Sequence, residues 1–195
     1  MRQVTGRTNR PIDQKKVSIR LSLDGHSFSV PQGVNPSSVE EIEWLTPQTL
    51  LVPKGCFDPQ QAAAYLVAQG FVLREDQQVV WSAVEEPIVA VMAVTKEALA
   101  PYAASVRHTS PLLHTPTVLQ PTLWICDAGQ LIYIKVYDPT LQLAEVVAVQ
   151  SEADRAYLLE RLFERIDPER FVLQLDDRAG MVKYYKKQFK KVLCE

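Results

Sequence analysis

Glycine is scarce in this chain, with seven residues among 195, about half of average usage. No two glycines are adjacent, so no Gly-Gly pair lets the backbone come close to an adenine or a ribose. Cysteine is sparser still. Cys56, Cys126 and Cys194 are odd in number, far apart and never in a Cys-x-x-Cys pair, which argues against a disulfide framework and lends little support to a metal site. Buried thiols in a reducing compartment fit better. The three histidines, His26, His108 and His114, never fall four apart on a helix beside a carboxylate, so the commonest helical zinc pattern is missing. No Gly-x-Ser-x-Gly elbow surrounds Ser27 or Ser110, and no nucleophile can be assigned. A run of about 18 apolar residues, enough to span a bilayer as a helix, is also absent. The basic start Met1–Arg7 is not followed by the apolar stretch of a signal peptide, and the expected location is cytoplasmic. A net charge of −2 lacks the basic excess of a dedicated nucleic-acid binder.

What is present is ordinary globular chemistry, 47% hydrophobic and 23% charged, in a chain long enough to bury a core. Residues 1–15 are expected to be a polar, flexible tail. Val17–Leu23 alternates apolar and polar residues, Asp24-Gly25 interrupts, and His26–Val30 resumes the alternation, which predicts a hairpin with Asp-Gly turn chemistry. After a polar stretch near 31–41, Thr49–Pro53 reads as a third strand. Asp58, Pro59 and Gly70 mark the start and end of a helix. Phe71–Leu73 and Val79–Val84 suggest an inserted hairpin. Pro87–Val94, apolar on both faces, suggests a central strand, and Thr95 caps a short helix to about Ala104.

The same order then recurs. Thr122–Cys126 and Gln130–Tyr137 are strands about the turn Asp127-Ala128-Gly129, and Leu141–Val149 is a third. Ser151 to Asp154 resembles a capping box, followed by a helix whose inward stripe is Ala156, Leu159, Leu162, Phe163 and Ile166. Phe171–Leu175 is a buried strand, and Gly180–Leu193 the expected last helix. The fold class predicted is α/β, with two tandem βββαβα halves, 16–105 with the inserted hairpin and 106–195, each a mixed sheet.

This duplicated order resembles the actin-like ATPase and ribonuclease H-like superfamily. More specifically, the chain is similar to a bacterial family of that fold that has no assigned activity. The similarity rests on the block from Val17 to Val30, on Leu51-Val52-Pro53 with Phe57, on Arg107-His108-Thr109-Ser110-Pro111-Leu112, and on the element order from Leu131 to Leu175. In the superfamily, a nucleotide lies between the halves against both early hairpin turns. The resemblance therefore makes Asp24, Gly25, Asp127 and Gly129 the candidate nucleotide-binding residues, with ATP and Mg²⁺ as ligands. Both turns depart from the superfamily's pattern of Asp, any residue, Gly and a small hydroxyl residue. Gly25 follows Asp24 directly and bulky His26 comes next, while Gln130 and Leu131 follow Gly129. The same residues make good hairpin turns with no ligand at all, and no cofactor is the first expectation.

Two further features stand out. Asp176-Asp177 follows a buried strand, where many α/β proteins place ligands, although capping of the next helix is the plainer role. On the expected last helix, Val182, Tyr185, Phe189 and Val192 form an apolar stripe, with Lys183, Lys186, Lys187, Lys190 and Lys191 on the remaining surface. That surface suits an acidic partner, an anionic membrane or a phosphate backbone, and a solvated face is the plain alternative. His108 and His114 flank a Pro-containing segment where a structural role is expected. The functional expectation is a non-catalytic adaptor or scaffold whose partner is another protein or a second copy. The alternative is a nucleotide-binding switch or weak ATPase.

Overall fold

A computed structural model of the chain describes residues 17–24, 27–29, 33–84, 87–117 and 120–194. The expected tail, Gly25 and His26 lie outside these. The first hairpin pairs β1 (Val17–Asp24) antiparallel with β2 (Ser27–Ser29). The polar stretch that follows holds a strand the sequence did not suggest, β3 (Val39–Leu45), parallel to β1. It buries Val39, Ile42, Trp44 and Leu45, while Glu41 and Glu43 receive arginines from neighbouring segments. Those long-range ion pairs make a glutamate-rich strand tolerable.

β4 (Thr49–Pro53) leads to a 3-10 turn in which the Asp58 carboxylate accepts the Gln60 N–H, then to α1 (Ala62–Ala68). Gly70, at φ +84°, ends the helix in the left-handed region. Phe71–Leu73 is not a strand. The Phe71 N–H turns back to the Leu66 carbonyl, and Phe71 and Leu73 pack beside α1. β5 (Gln77–Trp81) and β6 (Ile88–Thr95) follow, then α2 (Lys96–Leu99), whose N–H of Ala98 bonds to the Thr95 hydroxyl. Pro101 favours stopping this helix short of the expected Ala104. β7 (Arg107–Thr109) pairs parallel with β3.

The first part of the chain therefore divides its strands between two sheets, β2-β1-β3-β7 and β4-β6-β5, where a single mixed sheet was expected. They pack face to face through Leu21, Ile42, Trp44, Met92 and Val94. α1 covers the outer face of β4-β6-β5 through Ala62 and Leu66. β6 is thus buried on both sides, as its apolar run predicts.

The remaining elements are β8 (Thr122–Asp127), β9 (Leu131–Tyr137), β10 (Leu141–Ala148), α3 (Glu152–Phe163), β11 (Val172–Asp177), α4 (Val182–Gln188) and β12 (Val192–Cys194). They form one mixed sheet in the order β10-β9-β8-β11-β12. The capping box is present, with Ser151 and Asp154 exchanging side-chain bonds to backbone N–H groups. The helix it starts buries Leu158, Leu159, Leu162 and the following Ile166, whereas Ala156 is exposed.

The expected helix to Leu193 stops at Gln188. Phe189 is extended, buries its ring edge-on to Phe163, and sends the chain into β12, parallel to Leu173–Leu175 of β11. The pairing edge of β11 and the aromatic contact outweigh the helix propensity of a lysine-rich segment. Alternation then sorts the sheet. Leu123, Ile125, Leu173 and Leu175 face α3 and α4, whereas Trp124, Cys126 and Tyr133 face the first part of the chain against Leu45 and Leu112.

Candidate functional site

The strand alternation that sorts the core also sorts the acidic residues at the C-terminal ends of β8 and β11. These strands pair in parallel, with Asp127 opposite Asp177 and Cys126 opposite Asp176. Asp127 and Asp177 therefore project to the helix side, and Asp176 to the other side, toward the first sheet.

Asp127 is completely buried, and each of its oxygens is engaged. Arg155 on α3 donates from Nε to Oδ2 at 3.1 Å and from Nη2 to Oδ1 at 3.4 Å. The Tyr185 hydroxyl on α4 donates to Oδ2 at 2.9 Å, and the Gly129 N–H donates to Oδ1 at 3.0 Å. Arg155 also reaches the Gly129 carbonyl. Gly129 sits at φ +89°, where glycine is the residue with no steric cost. Burial and then the Asp127 charge push the Tyr185 hydroxyl up, so it stays protonated and keeps donating. For Arg155, burial opposes the charge, but the bond and charge of Asp127 outweigh it and raise its pKa. The turn is thus closed around its own carboxylate.

Asp177 accepts the N–H groups of Met181 and Val182, each at 2.7 Å, and so ties down the start of α4. Asp176 instead meets Arg178, whose Nε donates to it at 2.7 Å. The same guanidinium forks onto Glu43 of β3 at 2.8 and 3.2 Å, and Arg20 of β1 adds a further bond to Glu43. Burial disfavours the Asp176 carboxylate, but Arg178 more than compensates and holds its pKa below the usual value. Cys126 lies beside this cluster, and burial pushes its thiol up. The cluster joins residues far apart in sequence across the two parts of the molecule.

Of the residues the sequence singled out, the structure brings together Asp127, Gly129, Asp176 and Asp177. The backbone of Asp24 pairs with Ser27, and Gly25 is outside the described residues. The lysines are separated: Lys183, Lys186 and Lys187 are exposed on α4, while Lys190 and Lys191 lie past its end. Lys190 pairs with Glu169 at 2.6 Å. His108 accepts the Trp44 indole N–H at 3.0 Å, and His114 stacks on Trp124. Of the cysteines, Cys126 is buried, whereas Cys56 and Cys194 are exposed, contrary to the expectation of buried thiols.

Sequence reasoning missed Glu43, Arg155 and Arg178, and it read Tyr185 only as an apolar position. Arg155 and Asp127 are 28 residues apart, and Arg178 and Glu43 are 135 apart. No local spacing announces such pairs. Among the described residues, no group of three or more His, Cys, Asp or Glu side chains is arranged to hold a metal ion, and no helix is long and apolar enough to cross a membrane.

Its likeness to a solved structure gives this α/β chain the actin-like ATPase fold. The chain is similar to a Bacteroides thetaiotaomicron protein with actin-like ATPase fold and unknown function, with a TM-score of 0.67 and 16% identity. The match covers 94% of this chain and 93% of that one. No family model and no curated protein matches the chain.

Proposed function

We propose that this chain is a non-catalytic adaptor or scaffold, an actin-like fold that presents its surfaces to a protein partner or a second copy and does not process nucleotide. The observation that carries this reading is the engagement of Asp127 by Arg155, Tyr185 and the Gly129 N–H. A carboxylate that holds Mg²⁺ through water must face an open, wet position. Freeing Asp127 would strand Arg155, whose side chain is only 12% exposed. Breaking a buried ion pair in this way costs about 3–5 kcal/mol, which lowers a nucleotide's affinity by roughly two to four orders of magnitude.

In this reading the two halves, 16–105 and 106–195, descend from one duplicated unit. The later half retains a regular mixed sheet, and β7 crosses back to extend the earlier one. The exposed Lys183, Lys186 and Lys187 form part of the surface offered to an acidic protein partner, and the three free thiols suit a reducing cytoplasm. Thermal unfolding with and without ATP and Mg²⁺ separates this reading from a nucleotide switch. A ligand at one hundred times its dissociation constant adds about 2.7 kcal/mol of stability. No shift is expected at millimolar ATP, and a saturable, Mg²⁺-dependent rise would overturn the reading. A tagged copy purified from its native cell is expected to bring a protein partner in fixed ratio.

A further inference from the structure

A cleft of about 340 Å³ opens between the two parts of the molecule, at the Tyr137 end of β9 and away from the Asp127 turn. Lys135 lines it and is only 3% exposed. Its ammonium donates to the His114 carbonyl at 2.5 Å and lies 5.6 Å from the centre of the Trp124 ring. Among the described residues, no carboxylate forms a salt bridge with it. Among the described residues, this buried charge is answered by one carbonyl and one ring and has no counter-ion.

The surrounding groups suit an incoming anion. Trp44 donates to Nδ1 of His108, which fixes the neutral ring's proton on Nε2. Burial lowers the His108 pKa and so favours that neutral form. His108, Thr109, Thr115 and Tyr137 bring polar groups to the cleft walls. Glu41 also lines it, but its charge is paired with Arg107 at 3.3 Å. Pro87, Ile88 and Leu113 give the wall an apolar part. We propose that this cleft binds a small organic anion, whose carboxylate or phosphate head pairs with Lys135 and whose apolar body rests on Pro87, Ile88 and Leu113. The volume lies at the lower end of ligand pockets, which favours a compact metabolite over a nucleotide. The site is separate from the closed turn and does not depend on whether the chain is an adaptor.

Among the described residues, the charged and titratable groups around the cleft are Lys135 and Tyr137 on β9, Arg107 and His108 on β7, Glu41 on β3, and His114, which stacks on Trp124 beside Lys135. Burial pushes Lys135 down to about 8 and raises Tyr137. Burial keeps the His108 ring neutral from pH 7 upward, and Lys135 changes charge between pH 7 and pH 10. Titration with benzoate and, separately, inorganic phosphate tests the site. Saturable binding of at least one is expected, weakening about tenfold or more from pH 7 to pH 10. It should be lost in Lys135→Met and kept in the exposed charge-reversal variant Arg165→Glu. Benzoate as the better probe assigns a carboxylate with an apolar body, and phosphate as the better probe assigns a phosphate head. The Lys135 side-chain NMR resonance of the native protein provides a readout that needs no variant, and it should titrate at higher pH with the anion present. Absence of saturable binding by both anions, binding indifferent to pH and to Lys135→Met, or an unmoved Lys135 titration would each overturn the site.

Discussion

Two buried charges in this molecule are handled in opposite ways. Asp127 has a guanidinium, a phenol and a backbone N–H, so its charge is an asset to the fold as long as all three remain. Tyr185→Phe keeps the ring and removes one bond to the carboxylate, and should cost about 1.5–3 kcal/mol in urea unfolding. Lys135 has no such set of partners. Burial pushes its pKa down to about 8, below the ordinary lysine value of 10.5, so between these values the unfolded chain holds a proton that the folded one has released. Stability from this group therefore rises with pH across that window and is at its lowest below about pH 8. Lys135→Met should remove that rise and stabilise the protein at pH 7 by about 1–3 kcal/mol, measured as unfolding free energy at several pH values. Neither assignment was legible in the sequence. Asp127 could be placed in a turn, but its partners come from two helices that begin far downstream.

The turn between β8 and β9 shows how an element constrains the chemistry it carries. Gly129 has φ +89°, and a Cβ there would meet nothing within 4 Å. The cost of Gly129→Ala is therefore backbone strain alone, about 1–2 kcal/mol, and Gly129→Asn should cost less because asparagine tolerates this region. Chemical denaturation of both variants checks the order. Elements with strong local signals were legible: the apolar strands β8 and β9 about their Asp-Ala-Gly turn, the doubly buried β6, and the Ser151 capping box. Those decided by distant partners were not. β3 carries Glu40, Glu41 and Glu43 and is a strand because β1 and β7 flank it. β12 follows a lysine-rich stretch that reads as helix until the open edge of β11 is available.

At the scale of the whole molecule, Arg178 links the late sheet to β3 through Glu43 and Asp176. The carboxylates are 21% and 25% exposed, so solvent discounts the penalty for leaving them unpaired. Arg178→Met should cost about 1–3 kcal/mol, and calorimetry should show a lower Tm. The general class, an α/β protein of actin-like fold, was reached through the resemblance carried by the Val17–Val30 and Arg107–Leu112 blocks and the later element order, whereas the division of the earlier strands between two sheets was not legible. Strand order within a sheet depends on which edges meet, and short polar strands such as β7 leave little periodicity to read. Whether this fold has given up nucleotide is tested most directly at Gly129, whose N–H is committed to Asp127. Titration of the labelled protein with ATP and Mg²⁺, followed through the Gly129 amide resonance, should leave that resonance in place at millimolar nucleotide. A saturable, Mg²⁺-dependent shift of Gly129, with Arg155 released from Asp127, would contradict the reading.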